Sequence, residues 1–417
     1  MNIFDYLAIY SLFVIWLIIL INVVLVVFGY VYYSKVVKKQ MKDTLEEYPF
    51  VSILVPAHNE GIVIKKTVMS LVELDYPKDK YEIIIINDNS SDNSAEILHD
   101  LQLVYNDSNI IVINTDNIIG GKGKSNALNI GFEKSKGDIL AIYDADNTPD
   151  KNSLKYLVQT LIEEPKCGAV IGKFRCRNKE RNLLTRFINI ETLTYQWMAQ
   201  AGRWQMLNLC TIPGTNFVIR RNLIEEIGGW DTKAITEDTE LSFRIYRMGY
   251  KIKFMPLAVT WEQEPQTLGV WIKQRSRWAK GNTYVVIKNF KYLFKKEAGV
   301  TRFDILYYTM IYFFFLSANV ISDGLFVLGT LDIVKLHLSG FGIILWIGAL
   351  SVFVLSVMIA ISTEKGELTL KNTLVILIMY FTYCKMWAVV AVLGFYNYIK
   401  DILFKREVKW YKTERFE

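Results

Sequence analysis

The hydrophobic residues of this chain are concentrated in a few long stretches. Residues 6–33 form an almost unbroken apolar run without a charged side chain. A helix of that length, at 1.5 Å per residue, exceeds the hydrocarbon core of a bilayer, which is roughly 30 Å thick. Three further apolar stretches lie towards the end of the chain, at residues 304–333, 340–363 and 373–398. The pattern predicts membrane helices on both sides of a polar middle of roughly 250 residues.

The first apolar stretch is predicted to be a retained membrane anchor. No cation precedes it and no small-residue cleavage site follows it, so it lacks the features of a secretory signal. A basic segment at residues 34–42 follows directly, and positive residues beside a span stay on the cytoplasmic side. We therefore expect a multi-pass protein of the plasma membrane whose polar middle is cytoplasmic.

The number of membrane crossings stays open at this level. The basic tail at residues 401–417 should also be cytosolic. However, one membrane crossing before the polar middle and three after it would place the tail outside the cell. Polar residues such as Ser317, Asn319 and Asp323 interrupt the stretch at 304–333. They favour a hairpin or an interfacial helix there.

Charge and cysteine content exclude several classes of protein. The formal net charge is only +6, and the cations lie near the apolar stretches and in the region presumed to handle phosphate, so no nucleic-acid partner is indicated. The four cysteines contain no CxxC pair. Neither disulfides nor a structural zinc site is therefore expected.

The polar middle has the pattern of an α/β domain. Short β-branched runs without period-two alternation, typical of strands buried on both faces, lie at residues 51–55, 83–86, 110–113 and 139–142. Helical patterns at 62–74 and 94–103 separate the first three, and strands that alternate with helices form a parallel sheet. Each run is followed by polar residues, and ligands bind such sheets at the carboxyl ends of the strands. The candidate chemistry is therefore expected at that edge.

Asp144 and Asp146 follow the fourth run directly. A diphosphate requires a divalent cation to neutralise it, and Mg²⁺ or Mn²⁺ prefers one or two carboxylates together with phosphate oxygens. An isolated Asp-x-Asp is most often a solvated turn. Its position after a buried strand favours a metal and nucleotide site.

Asp238 ends a Thr-Glu-Asp sequence at the predicted start of a helix over residues 239–248. Thr236 or an acidic neighbour could cap that helix, and for an isolated motif capping is the favoured interpretation. The functional alternative is that Asp238 is a general base that deprotonates an acceptor hydroxyl. Such a base contributes about 10²–10⁴-fold to the rate.

The string Gln-Arg-Ser-Arg-Trp at residues 274–278 is the most specific motif. An arginine binds a diphosphate through a bidentate fork, and a tryptophan offers a flat apolar face for a pyranose ring. An ordinary basic surface helix is an equally good interpretation of this string taken alone.

Together these motifs resemble those of processive family 2 glycosyltransferases, such as cellulose, hyaluronan, chitin and poly-N-acetylglucosamine synthases. The similarity covers about residues 50–285. It implies a GT-A type, Rossmann-like α/β domain inserted between transmembrane α-helices. The expected domains are an anchor at 1–34, a cytosolic GT-A domain with interfacial helices at 35–300, transmembrane helices at 301–400, and a basic cytosolic tail at 401–417. The candidates for the interfacial helices are the amphipathic, aromatic segments 187–207 and 267–289, for which packing on the sheet is an equally good interpretation.

The resemblance also implies roles for individual residues. Asp238 would be the catalytic base, and Asp146 would bind the metal, Mg²⁺ or Mn²⁺. The remaining substrate-binding residues would be Glu60, Asp88, Lys124, Asp144, Gly214, Thr215, Glu237, Gln274, Arg277 and Trp278.

Within that set, Asp88 and the loop ending at Glu60 would hold the uridine, while Lys124 would meet the uracil or the diphosphate. Gly214 and Thr215 would lie beside the acceptor sugar. Arg277 would clamp the pyrophosphate and Trp278 would stack on the acceptor.

Two positions depart from the family pattern. His58 stands where a tyrosine is common, which leaves its nucleotide contact open. Lys122 precedes the matched Lys124, so either lysine is a candidate for the phosphate contact.

The function implied by the resemblance is polymerisation of a β-linked polysaccharide, of β-glucan or poly-N-acetylglucosamine type, from a UDP-sugar. The chain would be secreted through the transmembrane region, whose aromatic residues at 307–315 are candidates to line the path. The alternative is a non-processive enzyme that adds one or two sugars to a membrane lipid. The expected partners are the UDP-sugar, the growing glycan and the lipid bilayer. Accessory secretion subunits are a further candidate partner. Residues 261–267 slightly favour a glucan, but the donor and linkage stay open.

Overall fold

The computed structural model describes residues 2–39, 41–295, 299–335, 337, 341–404 and 413–416. The chain divides into two units. The helical unit comprises Met1–Ser34, Leu193–Leu207 and Arg275–Leu403. The sheet unit comprises Lys35–Thr192, Asn208–Gln274 and Phe404–Glu417. Most cations of the predicted basic tail, Lys405, Arg406, Lys409 and Lys412, lie outside the described residues.

The sheet unit is built on eight strands in the order β3-β2-β1-β4-β7-β6-β8-β5. Their bounds are β1 Val51–Ala57, β2 Tyr81–Asp88, β3 Ile110–Thr115, β4 Ile139–Ile142, β5 Thr148–Pro149, β6 Cys167–Cys176, β7 Phe217–Arg220 and β8 Lys251–Glu262.

The four predicted strands form one parallel half of this sheet. β1 lies in the middle and pairs with β2 and β4, while β2 pairs with β3. All residues of β1, β2 and β4 are buried, which explains their continuous aliphatic runs. Each fully buried aliphatic side chain stabilises the fold by roughly 1.5–3 kcal/mol relative to an exposed one.

The expectation of a parallel sheet holds only in part for the other half. β6 pairs with β8 in parallel, but β7 is antiparallel to both β4 and β6, and β5 is antiparallel to β8. The sheet is therefore mixed. The reversal at β7 brings the turn that precedes Phe217 to the carboxyl end of β4, because antiparallel neighbours run in opposite directions.

Eight helices accompany the strands of the sheet unit or lead into the helical unit. They are α2 Ile64–Val72, α3 Ser94–Val104, α4 Lys124–Lys134, α5 Ser153–Glu163, α6 Leu183–Tyr195, α8 Arg221–Ile227, α9 Glu237–Arg247 and α10 Leu268–Phe290. The last two confirm the predicted helices at 239–248 and 267–289 to within two residues.

The helical unit contains the long apolar helices. Its elements are α1 Ile3–Val36, a π-helical turn Gln196–Gln200, α7 Ala201–Leu207, most of α10, α11 Thr301–Thr309, a second π-helical turn Met310–Phe315, α12 Leu316–Thr330, α13 Phe341–Ser362, α14 Leu370–Phe381 and α15 Tyr383–Leu403. Four described helical segments are long and apolar enough to cross a membrane: Ile3–Val36, Thr301–Thr330, Ile344–Ser362 and Tyr383–Leu403.

The structure excludes one interpretation of the stretch at 304–333. It is no hairpin, because Thr301–Thr330 is helical throughout, and Ser317 and Asn319 donate to carbonyl oxygens of the π-helical turn. The alternative of an interfacial helix stays a prediction. The stretch at 373–398 is not one helix, since the chain leaves helical geometry at Thr382 between α14 and α15. At 12 residues, α14 is too short to span roughly 30 Å by itself.

Close backbone approach and buried polar pairs hold the helical unit together. A Cβ at Gly29 of α1 would collide with the carbonyl oxygen of Trp197, so the two segments pack with no side chain between them. The indole N–H of Trp197 donates to Glu364 at 3.0 Å. Arg203 forms a buried ion pair with Asp304 at 2.6 Å, so α7 is tied to α11.

Candidate active site

Asp88, the last residue of β2, lies at the carboxyl edge of the parallel strands. Its Oδ1 accepts the hydroxyl of Thr115 and the backbone N–H of Gly121, each at 2.9 Å. Its Oδ2 is buried and has no hydrogen-bond partner among the described residues. A buried carboxylate oxygen without a partner is costly, so this atom is positioned to receive a donor from a ligand.

The loop after β1 is fixed against the loop after β2. His58 Nδ1 contacts the carbonyl oxygen of Asp88 at 2.6 Å. Asn59 adopts a positive φ of 54°, and its side-chain oxygen accepts the N–H of Ser91 at 2.7 Å. His58 therefore serves to hold the two loops in register. The sequence did not determine whether His58 contacts the nucleotide.

Lys124 is the centre of a cluster of carboxylates. Its Nζ lies 2.5 Å from Asp144 Oδ1 and 3.5 Å from Glu237 Oε1, and it donates to the carbonyl oxygen of Gly214 at 2.8 Å. Burial opposes its charge, but the carboxylates of Asp144, Glu237 and Asp238 outweigh burial and raise the pKa of Lys124 above its ordinary value. The ammonium is therefore a fixed positive charge at the sheet edge.

Lys122 takes no part in this cluster. It is exposed, whereas Lys124 is the first residue of α4 and turns into the cleft after Gly123, which has a φ of 102°. Of the two candidate lysines, Lys124 is thus the one that the fold brings to the carboxylates.

The turn before β7 supports the Asp-x-Asp sequence from the neighbouring strand. The N–H of Asp144 donates to the hydroxyl of Thr215 at 3.0 Å, and that hydroxyl donates to the side chain of Asn147. Asp144 is partly exposed at 32%, while Asp146 is nearly buried at 5%. One carboxylate is therefore accessible from the cleft, and the other is held inside it.

Gly214 allows the closest approach to Asp238. Its φ of 87° is one that residues with a Cβ rarely adopt. A Cβ built there would lie 2.9 Å from Asp238 Oδ2 and 3.6 Å from Lys124 Nζ. The turn thus runs directly past the carboxylate, and only a glycine leaves that oxygen uncovered.

Asp238 lies in the first turn of α9, with an unusual electrostatic environment. Burial and the adjacent carboxylate of Glu237 raise the pKa of Asp238 from 3.8 to about 7, although Lys124 and the N–H of Thr239 favour its charged form. Thr236 precedes the helix without making a side-chain cap, but Asp238 Oδ1 accepts the N–H of Thr239 at 2.7 Å. The capping interpretation therefore holds only in part, and Asp238 also has the pKa of a group able to exchange protons near neutral pH.

Asp146 already interacts with a cation of the chain itself. Arg415 Nη1 donates to Asp146 Oδ2 at 2.8 Å, and Arg415 Nε donates to Glu60 Oε2 at 3.1 Å. No group of three or more acidic, histidine or cysteine residues that would enclose a metal is present in the described part of the chain. A divalent cation bound through one carboxylate and the phosphates of a nucleotide needs no such enclosure. The arginine shows that the site at Asp146 favours positive charge.

Residues 49–281 match the model of "Glycosyltransferase like family 2". The chain is also 46% identical to the probable glycosyltransferase YdaM of Bacillus subtilis, over 97% of both chains. The chain belongs to glycosyltransferase family 2. It is therefore a nucleotide-sugar-dependent glycosyltransferase, as the motif order predicted.

Two further similarities are to a polysaccharide synthase and to a solved glycosyltransferase structure. This family 2 enzyme is 33% identical over 265 residues to a poly-β-1,6-N-acetyl-D-glucosamine synthase of Staphylococcus aureus, which covers 63% of this chain and 62% of that one. Its fold matches a mannosyltransferase of Pyrobaculum calidifontis, solved with GDP-mannose and Mn²⁺, with a TM-score of 0.61, 19% identity, and coverage of 91% and 99%. The GT-A-like mixed sheet flanked by apolar helices is thereby confirmed.

The third family motif lies on α10. Gln274, Arg277 and Trp278 are spaced three and four residues apart, so they share one face of this helix. Gln274 belongs to the sheet unit, whereas Arg277 and Trp278 belong to the helical unit. The guanidinium of Arg275 lies 3.9 Å from the centroid of the Trp278 ring and covers one of its faces. The contacts of Arg277 and Trp278 with donor and acceptor stay predictions.

Three residues near the carboxylates of this glycosyltransferase were not singled out from the sequence. Glu262 ends β8, and burial together with the neighbouring carboxyls of Glu264 and Asp146 raises its pKa well above the ordinary value. Gln263 donates its N–H to Asp146 Oδ2 at 3.2 Å. Arg415 carried no signal beyond the basic character of the tail. The sequence contained no indication for Glu262 and Gln263 either, because β8 was not among the predicted strands.

Proposed function

We propose that this family 2 enzyme polymerises a β-linked polysaccharide from a UDP-sugar on the cytoplasmic side of the plasma membrane. The observation that supports it most is the convergence of Lys124, Asp144 and Glu237 at the carboxyl edge of the sheet, with distances of 2.5 and 3.5 Å from the lysine. This cluster has the charges needed to hold a nucleoside diphosphate and a cation. The similarity to a poly-N-acetylglucosamine synthase favours UDP-N-acetylglucosamine as the donor over UDP-glucose.

The donor would be held along the carboxyl edge of β1, β2 and β4. Asp88 would accept a hydrogen bond from the base through its buried Oδ2, and Lys124 would contact the diphosphate. Asp146 would bind Mg²⁺ or Mn²⁺, which neutralises the charge that develops on the diphosphate as it leaves. Asp144 is more exposed and would position the donor sugar.

Asp238 would remove the proton from the acceptor hydroxyl. The hydroxyl oxygen then attacks the anomeric carbon, the bond from that carbon to the diphosphate breaks, and UDP leaves with the electron pair. The proton stays on Asp238, whose pKa of about 7 suits a base that works near neutral pH. A single displacement of this kind inverts the anomeric centre and gives a β linkage from an α-linked donor.

Within the sheet unit, Gly214 and Thr215 would contact the acceptor sugar. Gln274, Arg277 and Trp278 of α10 are kept as predicted substrate-binding residues, with Trp278 as the aromatic partner of the acceptor. We retain the division into an anchor at 1–34, a cytosolic GT-A domain at 35–300, membrane helices at 301–400 and a cytosolic tail at 401–417. An aromatic ring that stacks on the terminal sugar would keep the glycan bound between sugar additions. Retention of the glycan favours a processive reaction.

The tail also supports an assignment of topology. Arg415 and Asp146 are in contact within the sheet unit, so the tail would lie on the same side of the bilayer as the carboxylates. The number of crossings between Gln274 and Phe404 would then be even, so two of the three long apolar segments in that interval would cross the bilayer and the third would not.

The test is to incubate membrane vesicles that contain the enzyme with labelled UDP-N-acetylglucosamine or UDP-glucose and Mg²⁺ or Mn²⁺. The labelled product is then sized and its linkage determined, with vesicles that carry Asp238→Asn as the matched control. A long polymer made by the wild type alone supports the proposal. A labelled lipid with one or two sugars would replace it with the non-processive alternative.

A further inference from the structure

Two residues of the terminal described segment, Arg415 and Phe416, contact residues at or beside the proposed donor site. Arg415 is only 13% exposed and is bonded to two carboxylates that are themselves 8% and 5% exposed, those of Glu60 and Asp146. A surface arginine that merely met an acidic patch would stay solvated, and its ion pairs would contribute little. This guanidinium is instead withdrawn from water between two loops of the sheet edge.

A second contact fixes the backbone of the same segment. The N–H of Phe416 donates to Gln263 Oε1 at 2.9 Å, and Gln263 Nε2 donates to the carbonyl oxygen of Phe416 at 2.6 Å. The N–H of Gln263 in turn donates to Asp146 Oδ2. The end of β8 therefore holds both the segment and the aspartate that the segment contacts, so docking depends on backbone geometry as well as on charge.

Arg415 and a divalent cation would require the same carboxylate. Asp146 Oδ2 accepts from Arg415 at 2.8 Å and from Gln263 at 3.2 Å. A metal bound there would bring a second positive charge against the guanidinium, and its ligand sphere would displace the arginine nitrogen. The two occupants of this carboxylate are therefore mutually exclusive.

We propose that Thr413–Phe416 is an autoinhibitory strap, in which Arg415 takes the cation's place at Asp146 until metal and nucleotide displace it. The inference rests on the proposed function in one respect, the assignment of the metal to Asp146. A tethered segment competes at a high effective concentration without any external ligand. A strap docked for about 90% of the time would weaken the apparent affinity for the metal about tenfold.

The test uses the full chain in detergent and measures binding rather than turnover. Mn²⁺ alone is titrated and followed by electron paramagnetic resonance, and UDP is titrated by calorimetry in the presence of Mn²⁺. The variants are Arg415→Ala, Gln263→Ala and a chain that ends at Lys412. Lys134→Ala removes an exposed cation at the end of α4 and is the matched control. Asp146→Asn tests the metal assignment separately.

We expect Arg415→Ala and the shortened chain to bind Mn²⁺ about tenfold more tightly than the wild type. Gln263→Ala should shift the affinity in the same direction by less, and Lys134→Ala should leave it unchanged. Unchanged Mn²⁺ affinity in Arg415→Ala, with binding lost in Asp146→Asn, would overturn the strap and leave the proposed function intact. Weaker UDP binding in Arg415→Ala would also overturn it, because the arginine would then be a donor-binding residue. Normal Mn²⁺ binding by Asp146→Asn would contradict the metal assignment itself.

Discussion

The replacement of Asp238 by asparagine separates base catalysis from binding. Asparagine keeps the size of the side chain and an oxygen that can accept the N–H of Thr239, so the first turn of α9 should be retained. It cannot take up a proton at neutral pH. The turnover number should fall by about 10²–10⁴-fold, the usual contribution of a general base, whereas UDP affinity should stay nearly unchanged.

The pH dependence follows from the pKa of about 7. The base must be unprotonated, so kcat/KM of the wild type should rise with pH and level off above about pH 7. That acid limb should be absent from the residual activity of Asp238→Asn. The assay is transfer from a labelled UDP-sugar between pH 5 and pH 9, at matched ionic strength.

As pH rises, the free energy of unfolding of the wild type should fall while its activity rises. Because the pKa is 3.8 in the unfolded chain and about 7 in the folded one, the folded state binds the proton more tightly between these values. The wild type is therefore expected to lose stability as pH rises from about 4 to about 7. At pH 8 the asparagine variant should be more stable by an amount on the order of 2–4 kcal/mol, measured as a higher Tm. Loss of UDP affinity with turnover kept, or an acid limb that persists in the variant, would refute the assignment.

Three other substitutions test separate parts of the structure. Asp88→Ala removes the buried Oδ2 and should weaken UDP binding about 10- to 100-fold by calorimetry; equal affinity would contradict a role in holding the base. Gly214→Ala forces a Cβ to within 2.9 Å of Asp238 Oδ2 at a φ of 87°, so kcat should fall more than KM rises, and an unchanged kcat would count against the close approach. Arg203→Met leaves Asp304 buried without its partner and should destabilise the helical unit by about 3–5 kcal/mol in thermal unfolding; a second replacement, Asp304→Leu, should recover most of that loss.

The parallel half of the sheet could be predicted because its signal is local. Strands β1, β2 and β4 are buried along their whole length, so each appears as a continuous aliphatic run that one short window detects. The strands of the other half give no such signal. Lys173 and Arg175 interrupt the apolar run of β6, Lys251 and Lys253 interrupt that of β8, and the apolar part of β7 is only three residues, 217–219. The pairing of these strands, parallel for β6 with β8 and antiparallel for β7, depends on contacts between distant segments.

The candidate site also contains some residues that the sequence predicts and others that it does not. Asp144, Asp146 and Asp238 could be found because carboxylates after a strand, or at the start of a helix, form recognisable motifs. Arg415 could not, since its partners Asp146 and Glu60 lie 269 and 355 positions earlier in the chain. The helix break at Thr382 also escaped prediction, because apolar residues continue on both sides of it.

The central claim is that the carboxylates at this sheet edge bind a cation and a nucleotide diphosphate next to Asp238. A structure of the full chain with UDP and Mn²⁺ tests it most directly. We expect Mn²⁺ to be bonded to Asp146 and to the diphosphate, and the uracil to contact Asp88. Arg415 should be displaced from Asp146. Nucleotide bound away from this edge, or a metal that does not contact Asp146, would contradict it.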